Sequence, residues 1–142
     1  MTAIGSVPGC ILFVKLWQFD RSDRTQVEID TGAKPYRPTA GRPGVEFMPL
    51  FSDSREEVRL ERWAPGAAIK MSLPGGAEVL ALDGDFHEAG ERFEVQSWLR
   101  LPPGSTLRAK AGPGGCKVWV KTGHLLHIEG VNRFYRVTAV DR

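Results

Sequence analysis

Glycine and proline set the terms on which this chain can fold. Sixteen glycines and ten prolines are spread along its 142 residues. The intervals between them run to about five to eight residues, enough for a strand and too few for an ordinary helix. No apolar stripe at spacings of three and four persists over a helical length, so the chain is expected to be all-β. The strand candidates are Ile11–Gln18, Gln26–Asp30, Val45–Leu50, Val58–Trp63, Glu78–Leu82, Phe93–Leu101, Lys117–Lys121 and Phe134–Val140. Asp83-Gly84 reads as a hairpin turn and Gly112–Gly115 as a hairpin loop. Residues 31–44 hold three prolines and three glycines and read as a loop, because proline cannot donate to a ladder. At least eight short strands in one domain carry many edges. Closure into a barrel or a two-sheet jelly roll removes most of them.

A chain of this length fits one domain, and at 42% hydrophobic it can bury a core without staples. The net charge is +2, and no two of the 19 basic residues are adjacent. That balance offers neither nucleic acid nor an anionic membrane a footprint. Ile11–Val14 is apolar, but Lys15 interrupts it and no basic segment precedes it. The run is too short for a signal peptide or a membrane span, so a cytoplasmic location is expected. Cys10 and Cys116 then read as reduced thiols packed as small hydrophobes. A redox pair has no positive support.

One internal repeat stands out. Gly9–Lys15 matches Gly115–Lys121 at Gly, Cys, Val and Lys, 106 residues further on, and each copy begins at or just after a Pro-Gly pair, Pro8-Gly9 and Pro113-Gly114. The N-terminus thus reads as the closing strand of a lost preceding barrel. Residues 1–30 are N-terminal strands, either that remnant or a dimerisation arm. Residues 31–44 are the loop, and 45–142 the barrel. The first segment keeps Ile11, Leu12, Phe13, Val14, Leu16 and Trp17 and needs cover. It can join its own sheet or cross to a second copy, and a homodimer with residues 10–30 in the interface is expected.

Particular motifs carry a resemblance. They are Arg62-Trp63-Ala64-Pro65-Gly66, Pro74-Gly75-Gly76, Glu78 to Phe86, Ser97-Trp98-Leu99-Arg100-Leu101-Pro102-Pro103-Gly104-Ser105, and Gly115-Cys116 through Val120-Lys121-Thr122-Gly123-His124-Leu125. Together they resemble the ChrR-type cupins, the family of the cupin domain of a zinc-dependent anti-sigma factor. Two-barrel relatives, some carrying a dioxygenase label, share the pattern, and Phe13-Val14-Lys15, Gln18-Phe19-Asp20 and Thr25-Gln26-Val27 are similar to their linker. The resemblance implies a cupin-type double-stranded β-helix, a jelly-roll barrel of the RmlC-like kind.

The departures from the family pattern are as informative. The first cupin motif supplies His-x-His, a glutamate and a later glycine. Anchored on Gly75-Gly76 and Gly84, its histidine positions fall on Met71 and Leu73 and its glutamate on Ala77. Glu78 is adjacent, but alternation points it the other way. In the second motif Pro102 and Gly104 lead to Leu107 where a histidine is expected, and Gln96 replaces the opening glycine. Zinc, iron and manganese need nitrogen, oxygen or thiolate donors at about 2 Å, and this set offers none. No metal or other cofactor is therefore expected.

Other chemistry has little support. His124 and His127 read as the end of a strand, and His87 lies beyond Asp83-Gly84; all three read as surface or loop histidines. No Gly-x-Ser-x-Gly elbow and no phosphate loop ahead of a helix is present, so no catalytic residue is assigned. If Met71 and Leu73 face inward, alternation suggests that Val58, Leu60 and Arg62 do so too. An inward Arg62 either holds a ligand carboxylate, pairs with an internal acid or reaches the barrel mouth. Gln96 either lines the barrel or occupies an edge. A ligand site in the barrel would comprise Arg62, Met71, Leu73, Ala77, Gln96 and Leu107, taking a small apolar or carboxylate ligand.

Three functions compete. The loss of the ligands with retention of the fold residues favours a metal-free, non-catalytic module that binds a small ligand or another protein. A metal-independent isomerase, epimerase or cyclase needs an internal acid and base, and neither Tyr36 nor Tyr135 lies on a motif strand. A metal-dependent dioxygenase or zinc-dependent sensor of the anti-sigma type needs the missing ligands.

Overall fold

The computed structural model describes residues 26–127, together with Gly9, Leu12, Phe13 and the backbone of 135–137. The strands are β1 (Arg37–Pro38), β2 (Val45–Ser52), β3 (Glu57–Trp63), β4 (Ala68–Leu73), β5 (Ala77–Glu88), β6 (Glu91–Phe93), β7 (Trp98–Leu101), β8 (Ser105–Thr122) and β9 (Tyr135–Val137). All pairings are antiparallel, in the order β1-β2-β3-β8-β5-β7-β9, with β4 added to β8 and β6 to β5. The all-β expectation holds. A short 3-10 turn at His124–His127 is the helical element among the described residues.

Two long strands give the molecule its shape. The first part of β8 pairs with β4 and with the end of β5; its second part lies between β3 and the start of β5. Both strands therefore run through two halves of the sheet. Register shifts between Ala81 and Asp83 and between Gly84 and Phe86 let β5 bend as it passes from one half to the other. Gly84 has φ +72, and a Cβ there would fall on the carbonyl oxygen of Gly115. The Asp83-Gly84 pair is thus a bulge inside a strand rather than a hairpin. The reversal comes at Ala89-Gly90, both with positive φ, between β5 and β6. Gly112–Gly115 likewise lies inside β8 rather than in a hairpin loop. In both places cross-strand pairing overrides the local turn signal.

Other boundaries shift in smaller ways. Gln26–Asp30 forms no strand. Phe93–Leu101 is split by a turn in which Ser97 N–H donates to Glu94 O at 2.9 Å. The 31–44 segment is a loop apart from the two-residue β1. Ala68–Leu73 and the first part of β8 are strands that the segment pattern did not single out. The Ile11–Gln18 candidate lies outside the described residues except for Leu12 and Phe13.

The core fills the space between the two halves. It contains Val45, Trp63, Ile69, Leu73, Ala77, Val79, Ala81, Phe86, Phe93, Leu99, Leu101, Leu107, Val118 and Val120. Phe86 and Phe93 stack with centroids 4.9 Å apart, and Trp63 meets Phe86 edge-on at 5.3 Å. Paired residues of an antiparallel sheet share a face. The outer face therefore carries its own apolar row, because Met48 pairs with Leu60, Leu60 with Trp119, Trp119 with Leu80 and Leu80 with Trp98. Met48, Leu60 and Leu80 are buried, and Phe13 meets Trp119 edge-on at 5.1 Å.

That second row explains a correction. Alternation along β3 was expected to turn Val58, Leu60 and Arg62 into the barrel. The core instead takes Trp63, with Glu61 on the same face, while Leu60 and Arg62 face outward. Both faces of this sheet are apolar, so the alternation of one strand does not say which face is inside.

Candidate functional site

The motif positions come together as the sequence spacing implies. Met71 on β4 pairs directly with Leu107 on β8, and Leu73 pairs with Ser105. Ala77 opens β5 between Leu101 and Thr122. Leu73, Ala77 and Leu107 are buried in the core, and Met71, partly buried, packs against that core. Gly76 holds the turn before β5 with φ +73, and a Cβ there would lie 2.7 Å from Leu125 Cδ1.

This donor set does not fit a divalent metal. It offers one thioether and three hydrocarbon side chains, and a thioether is a poor donor to hard cations. Among the described residues, no group of three His, Cys, Asp or Glu side chains is placed to hold a metal ion.

Two expected site residues lie elsewhere. Arg62 is on the outer face, where its Nη2 donates to Glu46 Oε2 at 2.7 Å and its guanidinium lies 3.9 Å over the Tyr36 ring. Gln96 is exposed in the β6–β7 turn at φ +71. A positive φ there accounts for the family's glycine at this position. Neither lines the barrel.

A polar constellation that the sequence reading missed sits on the inner face. Glu61 is fully buried. Arg42 donates to it twice, at 2.7 and 3.1 Å, and Trp63 Nε1–H donates to it at 2.7 Å. Arg59 Nη2 approaches the same carboxylate at 2.8 Å. Arg37 and Arg59 both lie over the Phe47 ring, at 5.6 and 5.4 Å. A buried carboxylate is stable only with such compensation. The signal was present in Arg59-Leu60-Glu61-Arg62-Trp63, had the tryptophan been used to set the phase.

A second buried carboxylate lies on the opposite face. Glu78 does point away from Ala77, as alternation requires. It is nonetheless fully buried, accepting from Trp98 Nε1–H at 3.2 Å and Arg100 Nη2–H at 3.2 Å. His124 Nε2 lies 2.7 Å from its Oε1. His124 is therefore buried rather than a surface or loop histidine, whereas His87 and His127 are exposed. Beside Glu78 on β8, Lys121 is paired with Glu56 at 2.8 Å. Only the pairing of β5 with β7 and β8 assembles this group.

The thiol of Cys116 is buried in the core beside Trp63's strand. Burial, reinforced by Asp85 and Asp83, pushes its pKa up to about 12. It packs as a small hydrophobe; Cys10 lies outside the described residues. Among the described residues, no helix is long and apolar enough to cross a membrane.

Comparison with known proteins places this geometry. The family model for the ChrR cupin-like domain matches residues 24–126. No curated protein matches the sequence. Among solved structures, a protein of unknown function with a cupin-like fold from Ralstonia eutropha is 21% identical, with a TM-score of 0.62 over 71% of this chain and 68% of that one. The anti-sigma factor ChrR, in complex with SigE of Rhodobacter sphaeroides, is also 21% identical, with a TM-score of 0.57 over 66% of this chain. This chain spans only 50% of the length of that one. An RmlC-like cupin from Shewanella frigidimarina is 13% identical, with a TM-score of 0.57 over 69% of this chain and 90% of that one. At these identities the likeness establishes the fold.

Proposed function

The chain belongs to the ChrR cupin-like domain family, and from that membership we propose that it works as a metal-free, non-catalytic cupin that acts by contact with another protein. The observation that carries this reading is the filling of the motif positions. Leu73, Ala77 and Leu107 are buried in the core and Met71 packs against it, and these are the positions at which the family pattern would supply metal ligands. The stacked pair Phe86 and Phe93 belongs to the same core. A site for turnover needs room for substrate and an acid or base free to exchange protons. The carboxylate on the inner face, Glu61, is instead tied to two arginines and a tryptophan. That disfavours an isomerase, epimerase or cyclase working inside the barrel.

Protein contact is the mode of the ChrR relative, which is seen bound to a sigma factor. We carry over that mode and not the partner. The expected setting is the cytoplasm, with the chain as a homodimer.

Elemental analysis of protein expressed in metal-supplemented medium tests the reading. Zinc, iron, manganese and nickel should each stay below about a tenth of an equivalent, and added metal should leave the melting temperature unchanged. A near-stoichiometric metal, removable by a chelator with loss of stability, would refute it.

A further inference from the structure

The half of the sheet built from β4, the first part of β8 and the end of β5 turns Ile69, Leu107, Ala109 and Phe86 into the core. Its outer face carries the alternate residues, and these are basic. Lys70 pairs directly with Arg108, and the next row runs Ala68, Lys110, His87, Arg92. All of them are exposed, and neither row holds an acid.

The acids nearby are engaged or face elsewhere. Asp85 and Glu94 both lie on Arg92, each at 2.9 Å. Glu88 and Glu91 pair with each other across the turn on the inner face, in register with Ala109. On the outer face Lys70, Arg92, Arg108 and Lys110 thus stand against Asp85 and Glu94, an excess of two positive charges. Among the described residues Lys70, Arg108 and Lys110 make no ion pair. Like charges directly opposite in a sheet destabilise it, so Lys70 against Arg108 is a cost that the fold itself does not offset.

The shape of the face suits an extended chain. A shallow groove of about 450 Å³ runs over it between Lys70, Arg108, Lys110 and the Ala89-Gly90 turn. Arg108 and Lys110 stand two residues apart on one strand, about 7 Å, and alternate residues of any extended peptide repeat at the same distance. No phenylalanine, tyrosine or tryptophan lies in either row to stack on a base.

We propose that this face docks an extended acidic segment of a partner protein, with carboxylates on alternate residues. Arg108 and Lys110 take two successive carboxylates on one side of the segment, and Lys70 reaches them from the neighbouring strand. The proposal rests on the reading of this chain as a protein-contact module and names the chemistry of the partner. The two fail separately, because metal content tests that reading and peptide binding tests this face.

Calorimetric titration of the full chain with an eight-residue peptide in which glutamate alternates with threonine tests it. Saturable binding is expected at about millimolar concentration or below, weakening at least threefold or so when salt rises from about 0.05 to 0.3 M. The same peptide with glutamine for glutamate should not bind. Arg108→Gln should melt no lower than the wild type, because the opposition to Lys70 is relieved, while peptide affinity falls about fivefold. Lys110→Gln should weaken the peptide in the same way. Lys34→Gln, at an exposed position beside β2, removes the same charge elsewhere and should leave affinity unchanged. The proposal is overturned by no saturable signal, by equal binding of the glutamine peptide, by unchanged affinity in Arg108→Gln and Lys110→Gln, or by an equal loss in Lys34→Gln. Tighter binding of oligothymidylate or of phosphatidylserine vesicles overturns the assignment to an acidic protein segment.

Discussion

Glu78 on β5 and His124, which follows β8, meet in the protein interior, with His124 Nε2 2.7 Å from Glu78 Oε1 and both side chains buried. Arg100 and Trp98 donate to the same carboxylate. Removing Glu78 would leave a guanidinium, an indole and an imidazole without this acceptor. Glu78→Ala is therefore expected to cost about 3–5 kcal/mol, the usual penalty for breaking a buried charged group by deleting one partner. Urea denaturation measures it. A loss below about 1 kcal/mol would show that the group makes no net contribution.

Leu107 is fully buried and pairs with Met71 across β4 and β8. Leu107→Ala should lower stability by about 2–5 kcal/mol, from lost burial and the cavity left behind. An unchanged thermal midpoint would mean that these positions do not pack as one core.

Cys116 has a pKa pushed up to about 12 by burial. The folded protein then holds its thiol proton at pH values where the unfolded chain, with an ordinary thiol, releases it. Stability from this group is complete below about pH 9 and falls as pH rises from there toward the folded pKa. The difference in stability between the wild type and Cys116→Ala should therefore shrink over that window, followed by denaturant titration at several pH values. A difference that grows with pH would contradict the burial assigned to the thiol.

Phe13 rests on Trp119 while remaining 48% exposed, and its neighbour Leu12 is 61% exposed. The rest of the 10–25 segment lies outside the described residues. A run as apolar as Ile11–Trp17 needs cover, and we propose a homodimer built on residues 10–30. Light scattering at micromolar concentration should give twice the chain mass. A monomer mass, with deletion of residues 1–20 leaving a soluble and equally stable protein, would be incompatible with this arrangement.

The fold class was open to reading from the chain alone because glycine and proline act locally. They forbid long helices wherever they stand, and the family motifs supply the barrel. That Met71, Leu73, Ala77 and Leu107 carry no nitrogen, oxygen or thiolate donor was equally legible, since it depends only on which atoms the side chains carry. Three things needed the tertiary structure. Asp83-Gly84 and Gly112–Gly115 look like turns, but long-range pairing between β5 and β8 draws both into continuous strands. The inward face of β3 could not be chosen by alternation, because Met48, Leu60, Trp119, Leu80 and Trp98 give the outer face a row of its own. The partners of Glu61 and Glu78 come from segments up to 46 residues away. A buried charge is decided by what the fold brings beside it, and a single chain read in order does not hold that information.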